Sequence, residues 1–176
     1  MREFLLGSAL AALCGCTFAF ADAPLNQAPA AAAPATATIE PQLIRSEHST
    51  RLKPGQPVII DNPYGDVRLP FGGYEEQLEL QSVAQQPPGA NAIALQPAEE
   101  AGEYRIAPRL PQGRLLAEHQ RIDLAVFVPK GHNVTVRTEY GNIESRSMRG
   151  DLDLRSTHGN IALRGTHGRV QAHTGD

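Results

Sequence analysis

From Arg121 to Thr174 the apolar positions fall on every second residue, and glycine interrupts them at fixed intervals. Ile122, Leu124, Val126 and Val128 alternate with Asp123, Ala125 and Phe127; Val134/Val136, Leu152/Leu154 and Ile161/Leu163 repeat the spacing. A side-chain period of two is the mark of a half-buried β-strand. Shorter runs of the same kind lie upstream in "PVIIDN", "DVRLPF", "QLELQSV" and "NAIALQP". The turn formers "PPGAN", "EEAGE", "LPQG" and "PKGHN" punctuate the runs. Outside the N-terminal segment no ten-residue window carries a helical apolar stripe, so the pattern predicts an all-β chain.

Glycine recurs at Gly141, Gly150, Gly159 and Gly168. The residues two, four and six places after each share one face: Ile143, Ser145 and Ser147; Leu152, Leu154 and Ser156; Ile161, Leu163 and Gly165; Val170, Ala172 and Thr174. Each glycine then reads as a corner, supplying backbone that a β-branched residue resists. The stronger repeat is twice as long. "TEYGNI" (138–143) matches "STHGNI" (156–161), and "RGDL" (149–152) matches "HGRV" (167–170). Two alternating corners predict a short parallel β-solenoid of about 18 residues per coil, with strands stacked at ~4.8 Å. Small residues such as Ser145, Ser147, Gly165 and Ala172 suit a narrow interior, and Asp151 stacks over Arg169 on the outside.

An earlier coil is visible at 58–71. "YGDV" around Gly65 echoes "YGNI", and Val58, Ile60 and Asn62 precede Gly65 at the offsets of Val134, Val136 and Thr138 before Gly141. The domain is therefore read as 43–176. Its first coil is 58–71, an antiparallel β meander is inserted at about 75–130 to cap the N-terminal end, and the repeat coils follow at 131–176. Stepping eighteen residues from Gly159 reaches position 177, so the repeat predicts a C-terminally truncated product or a part of a longer gene.

The N-terminus adds a compartment. Arg2 followed by an apolar run from Phe4 to about Ala21 has the layout of a secretory signal over residues 1–21. Ala19-Phe20-Ala21 favours cleavage before Asp22. The alternative is "LCGC" (13–16), a lipoprotein box that would lipidate Cys16 and make the product an outer-membrane lipoprotein. Either route exports the chain to the periplasm or cell surface, and a membrane is a partner only if Cys16 is lipidated. Residues 22–42, rich in alanine and proline, read as a disordered linker. Both cysteines, Cys14 and Cys16, lie in the signal, so the mature chain has neither disulfide nor thiol chemistry. Its net charge remains −3 after loss of Arg2 and Glu3, which leaves no basic footprint for nucleic acid. With Phe71 and Phe127 its only phenylalanines and no tryptophan, aromatic platforms are scarce.

"RIDLAVFVPKGHNVTVRTEYGNI", the glycine-marked repeats after it and "VIIDNPYGDVRL" before it resemble the bacterial "putative-adhesin" family, a domain of unknown function with parallel β-solenoid repeats. The resemblance spans residues 57–176. It implies an extracytoplasmic, non-enzymatic domain of the envelope, and it carries over no catalytic residue. The C-terminal end departs from the family's longer run of coils.

No catalytic or cofactor-binding set emerges from the residues. His158 and His167 lie nine apart, at opposite corners; the neighbours stacked on His158 are Tyr140 and Asp176, and no column joins either to His173 in ligand contact. "GNIESRSMR" lacks the paired glycine and aspartate of calcium-binding nonapeptides. Outward columns mix Glu144 with Ala162, Arg146 with Arg164, and Asp153 with Gln171, so carboxylates do not converge as a glycosidase requires. Glu75-Glu76 and Glu99-Glu100 read as solvated turn charges. The expectation is a non-catalytic, extracytoplasmic, adhesin-like module with no cofactor and no metal, whose partner is a protein or glycan of the envelope. The alternatives are a polysaccharide-active β-helix with its site in further coils, and a regulatory envelope protein with a protein partner.

Overall fold

The computed structural model describes residues 40–70, 76–110, 116 and 119–175, all within the compact unit Thr38–Asp176. The expected signal over residues 1–21, Cys16 and most of the Ala/Pro tract lie outside the described residues, as do Phe71, Glu75 and Asp176. Among the described residues twelve strands follow one another in order: β1 (Gln42–Arg51), β2 (Val58–Asp61), β3 (Val67–Leu69), β4 (Gln77–Gln86), β5 (Ala94–Glu100), β6 (Glu103–Arg109), β7 (Arg121–Phe127), β8 (Val134–Tyr140), β9 (Ile143–Arg146), β10 (Leu152–His158), β11 (Ile161–Arg164) and β12 (Val170–Thr174). No helix occurs among the described residues.

The strands form two open sheets, each mixing parallel and antiparallel pairs. One runs β1-β4-β7-β3-β9-β11 and the other β12-β10-β8-β2-β6-β5. The chain is thus all-β as expected, and its two sheets are open and mix parallel with antiparallel pairs. From β8 onward successive strands alternate between the two sheets, and strands eighteen residues apart pair in parallel. Leu152 faces Val134 on one side and Val170 on the other; Ile161 faces Ile143. β2 and β3 join the same series, with Val58 opposite Val134 and Val67 opposite Ile143.

The expected meander is not one continuous unit. β4 and β7 enter the first sheet, where β4 pairs antiparallel with both β1 and β7; β5 and β6 form an antiparallel pair in the second. β7 and β6 then run parallel to β3 and β2 and extend both sheets on that side.

Side chains from both sheets share one core, because the period of two turns alternate residues inward from each. Apolar columns cross the sheets in register. Ile106, Ile60, Val136 and Leu154 form one such column, and each is fully shielded from solvent. Burying a valine, leucine or isoleucine of this kind is worth about 1.5–3 kcal/mol. Burial weakens along the last strands, where Ile161, Leu163 and Val170 are half-buried. At the β6 end, Tyr104 is buried with its phenol 3.2 Å from His48 Nε2, and burial raises its pKa against the opposing pull of a Thr50 hydrogen bond.

One alternation departs from the sequence pattern. After Gly150 the residues at offsets two, four and six (Leu152, Leu154, Ser156) are all buried. After Gly141, Ile143 and Ser145 are buried but Ser147 is exposed, and Met148 takes the inward place with no exposed surface. Ala172 is exposed on the edge strand β12 although it is in register with the buried Leu154; Gly165 is exposed as Ser147 is. The cause is a left-handed residue that ends each short strand: Ser147 has φ 52° and Gly165, eighteen residues on, φ 61°. One such residue shifts the side-chain phase by a position, as a bulge does. Because a side chain is penalised in this conformation and glycine is not, Ser147→Gly stabilises the fold by about 0.5–1 kcal/mol, read as a rise in melting temperature.

Candidate functional site

The turns that carry the chain from one sheet to the other are built by a repeated five-residue pattern. It occurs as Asn62–Asp66 ("NPYGD"), Thr138–Asn142 ("TEYGN") and Ser156–Asn160 ("STHGN"). The first position is a buried polar side chain that donates to a backbone carbonyl one layer below. Asn62 Nδ2 donates to the Ile122 carbonyl at 2.9 Å, Ser156 Oγ to Gly141 at 2.9 Å and Thr138 Oγ1 to Gly65 at 3.4 Å. Carbonyls buried at the turn are satisfied this way, which is why the interior tolerates polar groups at that height.

The third position in the pattern is the residue before glycine. Tyr64, Tyr140 and His158 form an outward ladder, with ring centroids 5.7 Å and 4.8 Å apart and interplanar angles of 8° and 17°. Glycine follows. A Cβ at Gly141 would stand 2.0 Å from the Gly65 carbonyl oxygen, and one at Gly159 would stand 2.0 Å from that of Gly141. Neither glycine has a positive φ, so close approach of the layer below, rather than turn conformation, excludes a side chain here.

The last position is an Asx whose side chain receives the next layer. Asp66 Oδ1 accepts the Asn142 backbone N–H at 2.8 Å, and Asn142 Oδ1 accepts that of Asn160 at 3.0 Å. On the far side Asn133 Oδ1 accepts the Asp151 N–H at 3.2 Å, and Asp151 Oδ1 accepts that of Arg169 at 3.0 Å. The expected stacking of Asp151 with Arg169 is thus a bond to the backbone. At the base, Asp123 accepts the Asp66 N–H at 2.9 Å while Arg121 bridges Asp123 and Asp66. The Asp123 bond is the main cause of a raised Arg121 pKa, with burial acting against it.

Gly65, Gly141 and Gly159 lie in this set of turns, and Gly150 and Gly168 in the opposite one. His158 is stacked on Tyr140, His167 Nδ1 lies 3.2 Å from the Gly165 carbonyl, and His173 is exposed on β12. Among the described residues no three His, Cys, Asp or Glu side chains gather closely enough to hold a metal. The columns Glu144/Ala162, Arg146/Arg164 and Asp153/Gln171 are in register as read. Sequence reasoning missed the roles of Asn62, Thr138 and Ser156 and of the Asx ladder, although the recurrence of a polar residue three places before each glycine was a usable signal.

Beside the Tyr64 turn the surface opens into a cleft of about 360 Å³. It is lined by Asp61, Pro63, Tyr64, Ala107, Pro108, Leu110 and Glu139. β2 and β6 pair in parallel through Ile60 and Ile106, then part: β2 turns at Tyr64 while β6 continues along β5 to Arg109. Pro63 and Pro108 have no N–H with which to prolong the ladder, and the gap between the diverging chains is the cleft. The second carboxylate reaches it from the end of β8.

No family model matches the chain, and no curated protein matches it. Among solved structures, one described as a "putative cell adhesion protein" from Clostridium sporogenes ATCC 15579 superposes with a TM-score of 0.51 at 10% identity, over 74% of this chain and 68% of that one. A "putative adhesin" from Bacteroides fragilis NCTC 9343 aligns at 13% identity over 76% of this chain and 78% of that one, with a TM-score of 0.35. The chain is similar in fold to the first of these structures.

Proposed function

We propose that this chain is a non-catalytic, exported, adhesin-like module of the cell envelope, which presents the surface of a short parallel β-solenoid to a partner. Its coils advance by eighteen residues, with Gly65, Gly141, Gly150, Gly159 and Gly168 as corners. The observation that carries the reading is the fold likeness to a structure described as a cell adhesion protein. The turn architecture supports it, because the recurring chemistry of the repeat (polar donor, ring, glycine, Asx) goes into holding layers together. Outward carboxylates are scattered among arginines and neutral residues, which suits binding better than acid–base catalysis. The test is saturable binding of the exported protein to envelope material, unaffected by a chelator, with no turnover on a panel of polysaccharides. Turnover, or failure to bind the envelope, overturns the reading. The intact mass of the exported protein separately decides between Asp22 and a lipidated Cys16 as its first residue.

A further inference from the structure

We infer that the cleft beside the Tyr64 turn is a glycan subsite that takes a hexopyranose residue of a neutral surface polysaccharide. The inference rests on the adhesin-like reading and names the partner class for it. Three features of the cleft point to a sugar ring. Its volume of about 360 Å³ lies in the range of small-ligand sites and suits a sugar-sized ligand. One part of its lining is apolar: Pro108 and Leu110 stand with Tyr64, whose ring is stacked on Tyr140. Its polar side chains include two carboxylates, Asp61 on β2 and Glu139 on the neighbouring β8, and neither is in an ion pair among the described residues.

A pyranose is amphipathic in the same sense. It offers a face of C–H groups to the apolar wall and hydroxyl donors to the carboxylates, each of which accepts more than one hydrogen bond. A peptide backbone would bring carbonyls as well as N–H groups, and these carboxylates offer only acceptors. Arg137, in register with Asp61, is not among the residues lining the cleft.

The experiment is a titration of the isotope-labelled protein with gluco-, galacto- and manno-configured trisaccharides, followed by backbone amide NMR. At least one sugar should shift the Ala107, Leu110 and Glu139 signals saturably. Asp61→Asn and Glu139→Gln should each weaken that binding about tenfold or more, at an unchanged melting temperature. Two variants on different strands keep the test valid if one folds poorly. No shift up to about 10 mM sugar, or binding undiminished in both variants, overturns the subsite. A parallel arm separates this outcome from failure of the broader reading. Envelope binding lost after periodate and retained after protease supports the subsite. Binding retained after periodate overturns the subsite and leaves the adhesin-like reading standing, whereas absence of any envelope binding overturns that reading itself.

Discussion

Gly141→Ala lowers the melting temperature by about 10–20 °C, corresponding to about 3–5 kcal/mol of stability. The added Cβ would stand 2.0 Å from the Gly65 carbonyl oxygen and 2.5 Å from its carbon, and both are backbone atoms that cannot rotate away. Relief requires the layers to separate by about 1 Å or more to reach an ordinary van der Waals contact. That movement strains the bonds fixing the turn, from Gly65 N–H to the Tyr140 carbonyl at 3.0 Å and from Tyr140 N–H to the Pro63 carbonyl at 2.8 Å. It also opens the Tyr64–Tyr140 stack. Gly55→Ala is the control. Gly55 has φ 71° but nothing within 4 Å of an added Cβ, so the change costs only about 1 kcal/mol of backbone strain. Equal thermal shifts in the two variants would mean that the layers are not in the close contact described.

The same geometry bears on the cleft. Tyr64 stands at once in the ring ladder and in the cleft lining, and Glu139 immediately precedes the Tyr140 that stacks on it. The glycine-dependent approach of β8 to β2 therefore sets the positions of the second carboxylate and the ring. A change that separates these layers is expected to loosen the cleft together with the fold.

What was legible in the sequence was what repeats locally. The inward faces of β7, β8 and β10 follow from period-two alternation, because each strand is half-buried and must turn apolar residues one way. The eighteen-residue pairing of β8, β10 and β12 follows from "TEYGNI" and "STHGNI", since stacked turns demand matching residues at matching heights. Of β1 only the start was legible, as the boundary of the β domain at 43: Gln42–Arg51 is exposed over almost its whole length and carries no apolar face. β6 was missed because Tyr104 and Ile106 are its only large buried apolar residues before Pro108 breaks the pattern. The division of the insertion between two sheets depends on pairings over long separations, such as Ile60 with Ile106, that no local signal encodes. The slip of phase at Ser147 escaped because a left-handed serine looks in sequence like any small inward residue. The cleft was invisible for a further reason. Its walls come from residues 61, 63, 64, 107, 108, 110 and 139, which meet only because β2, β6 and β8 are neighbours.

The central claim, that eighteen residues make one layer and nine make only half, is tested most directly by two deletions compared in thermal melts. Removing 142–159 joins Gly141 to Asn160 and restores the strand register one layer down: Asn160 N–H meets Asp66 Oδ1, Ile161 covers Val67, and Val170 covers Val134. Removing 142–150 joins Gly141 to Asp151. It sets a second carboxylate over Asp66, lays the seven-residue β10 against the three-residue β3, and shifts each following strand to the wrong sheet. The shorter deletion should therefore be the more damaging, melting at least about 10 °C below the longer one or losing its cooperative transition. A nine-residue deletion as stable as the eighteen-residue one would contradict the account.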